Sequence, residues 1–285
     1  MPVYRFNEYY CGNNYLEVQV YPEILTRGKG KRHKGQYKPT RAVQQTLNDN
    51  NRNRYVHRLF NHNFTPADFF ITVTYKDKYL PKDFKAAEKE VNNYIRRIQR
   101  LAKKRGLPPP RIFKVTGYGE RRKRLHSHLI VSGIFPADVF KTLWQIKVSA
   151  REYELRGKIT VDSLEFDKFG IQNLSDYFMK HLEENKRRGL KCTYYRSRSM
   201  EEPIKNPRVK RLRTKQIEHM GSHTDFSAVE NLYSGYNFIR PDEYANASEM
   251  ERALFYNKDF GGFFFLLRFY KPPRRDLRQR KAGHL

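Results

Sequence analysis

Two histidines separated by one residue form the first group of side chains that could do chemistry. His126-Ser127-His128 lies within Leu125 to Val131, where residue types alternate as in a strand. Because residues two apart on a strand point to the same side, both imidazoles are expected to face one way. Two imidazole nitrogens on one face could share one metal ion. The alternative interpretation is a pair of half-exposed surface histidines, since so short a motif also arises by chance.

A carboxylate at the end of the preceding strand could complete such a metal site. Glu120 ends the predicted strand that starts at Ile112, and a short hairpin leads from it to the histidine strand. Directly opposed residues of an antiparallel pair share a face. A hairpin loop of three or five residues would therefore place Glu120 beside the histidines, whereas a loop of two or four would not. His126, His128 and Glu120 would together suit Mg²⁺ or Mn²⁺. The alternative is a solvated hairpin charge.

A tyrosine and a lysine on one predicted helix form a second group. Apolar residues every fourth position from Leu174 predict a core-facing stripe, and Tyr177 and Lys180 would share a different face. A phenol is a poor nucleophile at its ordinary pKa of about 10, so it needs a metal-polarised phosphate or a nearby cation, which Lys180 could supply. Tyr75 and Tyr79 also precede a lysine by three residues, but they lie in a predicted loop. The alternative is a structural tyrosine beside a solvated lysine.

The elements that must position these groups follow a mixed order. Periodicity predicts strands at 15–21, 69–75, 112–120, 125–133, 158–166 and 263–270, and helices at 40–60, 81–104, 136–145, 174–184 and 243–255. This order predicts an α+β fold. We expect an antiparallel central sheet with helices packed mainly on one face, plus a smaller C-terminal module.

The charge of the chain points to a polyanionic partner. Lys and Arg number 57 against 30 Asp and Glu, for a formal net charge of +27. Each cation set against a phosphate releases a counterion, so nucleic acid is the expected partner. Basic runs occur at Arg27 to Lys34 and Lys271 to Lys281. The residues predicted to contact DNA are Arg121, Arg122, Lys123, Arg124, Lys186, Arg187 and Arg188.

Several classes of protein and site are disfavoured by the same sequence. Cys11 and Cys192 are the only cysteines, which excludes a disulfide framework and a cysteine-based zinc site. No segment approaches the roughly 20 apolar residues of a membrane span, and the first residues do not follow the pattern of a signal peptide. We therefore expect a cytoplasmic protein with no membrane partner.

Three segments in order resemble the motifs of rolling-circle replication initiators. These are Phe69 to Thr74, then Leu125 to Val131 with the histidine pair, then Tyr177-x-x-Lys180. Such initiators belong to the His-hydrophobic-His single-strand endonuclease superfamily of phages and plasmids, and the resemblance covers roughly residues 50 to 200. Two features depart from the family pattern. Ser127 stands between the histidines, and Glu120 follows Gly117-Tyr118-Gly119 where many relatives carry a glutamate before a Tyr-Gly pair.

The resemblance implies a reaction. A divalent ion held by His126 and His128 polarises a phosphodiester, and Tyr177 attacks it to form a 5′-phosphotyrosine link and a free 3′-OH. The substrate would be single-stranded or melted origin DNA. The 3′-OH would prime a host polymerase. Because the chain has no Gly-x-x-x-x-Gly-Lys phosphate loop, unwinding is expected from a separate helicase.

The resemblance also suggests a division of the chain. We expect an N-terminal strand and basic loop at 1–40, the endonuclease domain at 41–200, a basic linker at 201–215, and a C-terminal module with a basic tail at 216–285. Three other functions remain open: a related single-tyrosine transposase or relaxase, a basic DNA-binding protein without catalysis, and a structural DNA-packaging protein. The sequence leaves the oligomeric state undetermined.

Overall fold

A computed structural model describes residues 3–12, 14–23, 42–119, 124–190, 194–207, 211–230, 232–244, 254–257 and 261–271. Its strands are, in chain order, β1 (Tyr4–Cys11), β2 (Tyr15–Pro22), β3 (Phe69–Val73), β4 (Ile112–Tyr118), β5 (Leu125–Val131), β6 (Gln145–Lys147), β7 (Tyr153–Leu155), β8 (Ile159–Ser163), β9 (Tyr195–Arg196), β10 (Ile204–Pro207), β11 (Asn237–Ile239), β12 (Leu254–Asn257) and β13 (Gly262–Tyr270). Its α-helices are α1 (Ala42–Asn63), α2 (Phe84–Lys104), α3 (Ala137–Leu143), α4 (Gln172–Arg187), α5 (Thr214–His223) and α6 (Ser227–Glu230).

The chain forms two compact units. The central unit comprises Asp49–Asp167 and Ile171–Glu202, and the terminal unit comprises Met1–Asn48, Lys168–Gly170 and Pro203–Leu285. The predicted division into four segments stays a prediction.

The central unit is built on a five-stranded sheet with the order β8-β3-β5-β4-β9. Every pairing in it is antiparallel. The histidine strand β5 therefore lies in the middle, between β3 and β4, where neighbours on both sides fix its register.

Apolar side chains cover both faces of this sheet. On one face, Leu129 of β5 packs with Val91 and Ile98 of α2. On the other face, Ile130 packs with Phe178 of α4 and with residues of α1. The predicted α+β class with an antiparallel sheet is confirmed. The structure differs in one detail, since helices pack on both faces and not mainly on one, because alternate residues of β4 and β5 are apolar on each side.

The terminal unit joins the two ends of the chain in a second antiparallel sheet. Its strand order is β10-β1-β2-β13-β11, and β12 also pairs with β13. One face is covered by a core that includes Val18 of β2, Leu267 of β13 and Ile217 of α5. The strand predicted at 263–270 is present as β13, and β1 had not been predicted.

Two parts of the terminal unit differ from expectation. The helix predicted at 243–255 is wrong at its end, because Leu254–Asn257 is strand β12, which pairs with β13 through Leu254 opposite Phe265. Strand β10 lies inside the segment predicted as a linker, where it pairs with β1. In both cases, hydrogen bonding to a distant strand overrides local composition. No helix in the described ranges has the length and apolarity needed to cross a membrane.

Candidate active site

The histidine pair lies on the α4 side of the central sheet. Along β5, Leu125 and Leu129 contribute to the core beneath α2, whereas Ile130 contributes to the core beneath α4. His126 and His128 alternate with Leu125 and Leu129 along the strand, so they lie on the same side as Ile130. Both imidazoles therefore face the same helix, and His128 is only 4% exposed.

A third histidine, which the sequence analysis did not identify, completes a cluster. The candidate ligand nitrogens of His126, His128 and His181 all lie within 4.8 Å of one another. The ring of His181, on α4, lies 5.2 Å from that of His126 and 4.8 Å from that of His128. Within the described part of the chain, this is the one group of three or more His, Cys, Asp or Glu side chains close enough to hold a metal ion.

One sequence signal could have pointed to His181. It follows Tyr177 by four residues, and side chains four apart on a helix are neighbours on the same face. The two rings indeed lie 4.7 Å apart. From the sequence, only Lys180, at a spacing of three, was assigned to the face of Tyr177. The spacing of four alone could not have shown that this helix face meets the histidine strand.

A glycine on β4 lets α4 approach the sheet. Gly117 lies directly opposite His126 in the strand register. A Cβ atom at Gly117 would be 3.1 Å from Nδ1 of His181 and 3.5 Å from Oδ1 of Asn185. Since the first distance is shorter than an ordinary carbon–nitrogen contact, any side chain at Gly117 would press against the helix residue that completes the cluster.

The two strand histidines are oriented through their Nδ1 atoms. Nδ1 of His126 lies 3.2 Å from the carbonyl oxygen of Arg124, which can only accept, so this nitrogen carries the proton. Nδ1 of His128 lies 3.0 Å from the hydroxyl of Thr72 on the neighbouring strand. With the proton on Nδ1, the lone pair of His126 is on Nε2. The contact with Thr72 is compatible with the same tautomer for His128.

Burial keeps both strand histidines neutral. It lowers the pKa of His128 to about 2, and the neighbouring His126 and His181 add to this shift. Burial also lowers the pKa of His126, although the hydrogen bond to the Arg124 carbonyl opposes the shift. Only a neutral imidazole has a lone pair for a metal ion, so the site is poised for ligation at neutral pH.

Tyr177 lies against the histidines. Its hydroxyl is 2.8 Å from Nε2 of His128, and its ring packs 6.2 Å from that of Phe70 on β3. The side chain is nevertheless 39% exposed. A tyrosine that is hydrogen-bonded to the cluster and partly exposed can reach a bound polymer. By contrast, Tyr79, one of the alternative tyrosines, donates its hydroxyl to Glu154 at 2.8 Å, and its contact is with the β6–β7 hairpin.

The carboxylate predicted as third ligand, Glu120, lies outside the described residues. The described register pairs Gly117 with His126 and Tyr118 with Leu125. This is neither of the two registers that the sequence analysis required to bring Glu120 to the histidine side. The role of Glu120 as a metal ligand therefore stays a prediction.

The other predicted site residues include Lys180 and the cations of the β4–β5 hairpin. Lys180 is exposed on α4, one turn from Tyr177. Of the hairpin cations, Arg121, Arg122 and Lys123 lie outside the described residues. Arg124 pairs with Asp77 and donates to the carbonyl oxygen of Tyr75 at 2.8 Å.

The predicted cations at the end of α4 are exposed and have acidic neighbours. Lys186 lies 3.4 Å from Asp49, and both Arg187 and Arg188 lie within 4.0 Å of Glu184. Exposed pairs of this kind are worth less than about 1 kcal/mol, so these cations remain available to phosphates.

One comparison with known proteins gives a match. The family model described as Replication-associated protein ORF2/G2P matches residues 68–188, which is less than half of the 285-residue chain. The matched range contains all of β3, β5 and α4, and with them the three histidines and Tyr177. The match supports a replication-initiator family, which suggests endonuclease activity. Comparisons with curated proteins and with solved structures give no match.

Proposed function

We propose that this protein is a metal-dependent endonuclease that nicks one strand of origin DNA through Tyr177 and so initiates rolling-circle replication. The observation that carries the proposal is the hydrogen bond of 2.8 Å between the Tyr177 hydroxyl and the three-histidine cluster. The replication family matched over residues 68–188 favours initiation over transposition or plasmid mobilisation.

In the proposed reaction, the phenol oxygen of Tyr177 bonds to phosphorus while the bond from phosphorus to the 3′ oxygen breaks. The phenol proton passes to water, and the departing oxygen takes up a proton from water to become a 3′-OH. This product can prime a polymerase, and the 5′-phosphotyrosine link retains the energy of the broken bond. Lys180, on the same helix, would supply a cation to the developing negative charge.

The donor set fits a divalent ion. When bound, such an ion would polarise the scissile phosphate as a Lewis acid. Three neutral imidazoles are a softer set than the two histidines and one carboxylate predicted from the sequence, and imidazole suits transition metals better than Mg²⁺. We therefore propose His126, His128 and His181 as the ligands and Mn²⁺ as the preferred ion over Mg²⁺.

The decisive experiment is covalent capture. Labelled single-stranded candidate origins are incubated with the protein, with and without Mn²⁺, and protein-linked label is resolved under denaturing conditions. Label should transfer only with Mn²⁺, and Tyr177→Phe should abolish both the adduct and the nick. The substitution removes one exposed hydroxyl and leaves the core contacts of Phe178 unchanged, so folding and DNA binding should persist.

Tyr79→Phe is the matched control, because Tyr79 also precedes a lysine by three residues. This variant should form the adduct normally. An adduct that persists in Tyr177→Phe but disappears in Tyr79→Phe would identify a different nucleophile. DNA binding without any adduct, across origins and metals, would instead favour a non-catalytic DNA-binding protein.

A further inference from the structure

A buried amide lies one helical turn beyond His181. Asn185 is 2% exposed, and its Nδ2 donates to the carbonyl oxygen of Thr116 on β4 at 2.7 Å. This bond fixes the orientation of the amide. Its Oδ1 is buried and has no hydrogen-bond partner among the described residues. A buried acceptor left unpaired costs roughly 1–3 kcal/mol, so its retention calls for an explanation.

The side chains of Asn185 and His181 line the same space above Gly117. Oδ1 of Asn185 and Nδ1 of His181 lie 3.5 and 3.1 Å, respectively, from one point, the position of a Cβ atom on Gly117. The two side chains are four apart on α4 and share the helix face that meets the sheet. The two atoms therefore line the same small space, and rotation of the imidazole would direct Nδ1–H toward the amide oxygen.

We propose that Asn185 is a positioning residue whose Oδ1 accepts a hydrogen bond from Nδ1–H of His181. The bond would fix the tautomer of His181 and leave its Nε2 lone pair for the metal ion. His126 and His128 have the corresponding Nδ1 contacts with the Arg124 carbonyl and the Thr72 hydroxyl. The inference rests on the proposed function for the bound ion, but its statement about the tautomer stands without it.

The first test reads the tautomer in the unaltered, metal-free protein. Long-range ¹H–¹⁵N correlation spectra, recorded at about pH 8 where histidines are neutral, distinguish a protonated Nδ1 from a protonated Nε2. We expect His181 to carry its proton on Nδ1. His126 serves as an internal reference, because its Nδ1 faces a carbonyl oxygen. A proton on Nε2 of His181 would overturn the proposal.

The second test removes the acceptor. Asn185→Leu keeps the branched shape and the number of heavy atoms of the side chain. Calorimetric titration with Mn²⁺ should show affinity reduced by about 10–100-fold, as is typical when a partner of a metal-ligating histidine is lost. Asn63→Leu is the matched control. Asn63 is 3% exposed, but it hydrogen-bonds to Leu59 on α1 and to Glu201, which follows β9. This variant should lose stability and retain Mn²⁺ affinity.

Equal losses of affinity in the two variants would show a general structural effect and overturn the positioning role. If Asn185→Leu does not fold, the spectra of the unaltered protein decide alone. The experiments distinguish failure of the Asn185 proposal from failure of the proposed endonuclease function. A Tyr177 adduct together with a His181 proton on Nε2 would refute the role of Asn185 only. The predicted tautomer and the selective loss of Mn²⁺ affinity, without any adduct, would refute the endonuclease only.

Discussion

At the scale of single residues, the cluster differs in charge from the set expected from the sequence. Three imidazole ligands would bring no negative charge to a divalent ion, so the proposed complex would keep the full positive charge of the ion for an incoming phosphodiester. Burial lowers the pKa values of His126 and His128 and so maintains this neutrality. A ligand set with Glu120 would have cancelled one positive charge.

The role of His181 can be tested by its removal. His181→Ala should lower Mn²⁺ affinity by more than about 100-fold, which is beyond the effect of losing an outer-shell partner, since it removes a direct ligand. His219→Ala is the control, because His219 is an exposed histidine of the terminal unit, 3.3 Å from Asp225. Calorimetry measures both. Unchanged affinity in His181→Ala, with a large loss in Glu120→Gln, would restore the carboxylate as the third ligand.

At the scale of elements, helix α4 carries both the proposed nucleophile, Tyr177, and a proposed metal ligand, His181. Phe178 anchors it, with ring contacts of 5.5 Å to Phe60 and 5.6 Å to Phe113. The same helix presents Tyr177 and His181 to the strand pair β4–β5. The distance between α4 and the sheet therefore decides whether His181 reaches the two strand histidines. The lack of a side chain at Gly117 allows this distance to be short.

A methyl group at Gly117 should push α4 away from β4. Gly117→Ala would place a Cβ 3.1 Å from Nδ1 of His181, whereas the nearest atom to a Cβ at Gly119 is the Arg124 carbonyl oxygen at 3.6 Å, an ordinary contact. We expect Gly117→Ala to weaken Mn²⁺ binding and nicking by at least about 10-fold, since an outer-shell disturbance of a metal site has effects of this size. Gly119→Ala should change neither. Equal Mn²⁺ affinity and equal nicking in the two variants would contradict this expectation, because they would show that α4 accommodates the methyl group without loss of metal binding or activity.

At the scale of the whole molecule, the charge of +27 would govern an encounter with the proposed DNA substrate. Described cations near the site, such as Lys180 and Lys186, are exposed. The phosphate backbone would thus be attracted to the protein before any base is recognised. Association should be fast and strongly dependent on ionic strength.

Salt titration tests this electrostatic account. With about six phosphate contacts, the logarithm of the affinity for single-stranded DNA should fall with the logarithm of salt concentration at a slope of about −4. Fluorescence anisotropy between low and moderate salt measures the slope. A neutral osmolyte at matched osmolality should leave the affinity unchanged. An affinity that stays flat with salt would show that stacking and apolar contacts dominate.

The sequence by itself determined the local geometry of the site. The period of two along β5 places His126 and His128 on one face, and the helical spacing around Phe178 turns Tyr177 away from the core. The order of strands and helices was sufficient for the α+β class. These features depend on neighbouring residues, whose side-chain directions follow directly from backbone geometry.

Only the tertiary structure decided which distant groups meet. His181 joins the histidine pair because α4 docks where Gly117, directly opposite His126 in the strand register, leaves room. Similarly, pairing with β13 made Leu254–Asn257 a strand where local composition predicted a helix. Register and docking depend on packing between segments far apart in the chain, and no periodicity within one segment encodes them.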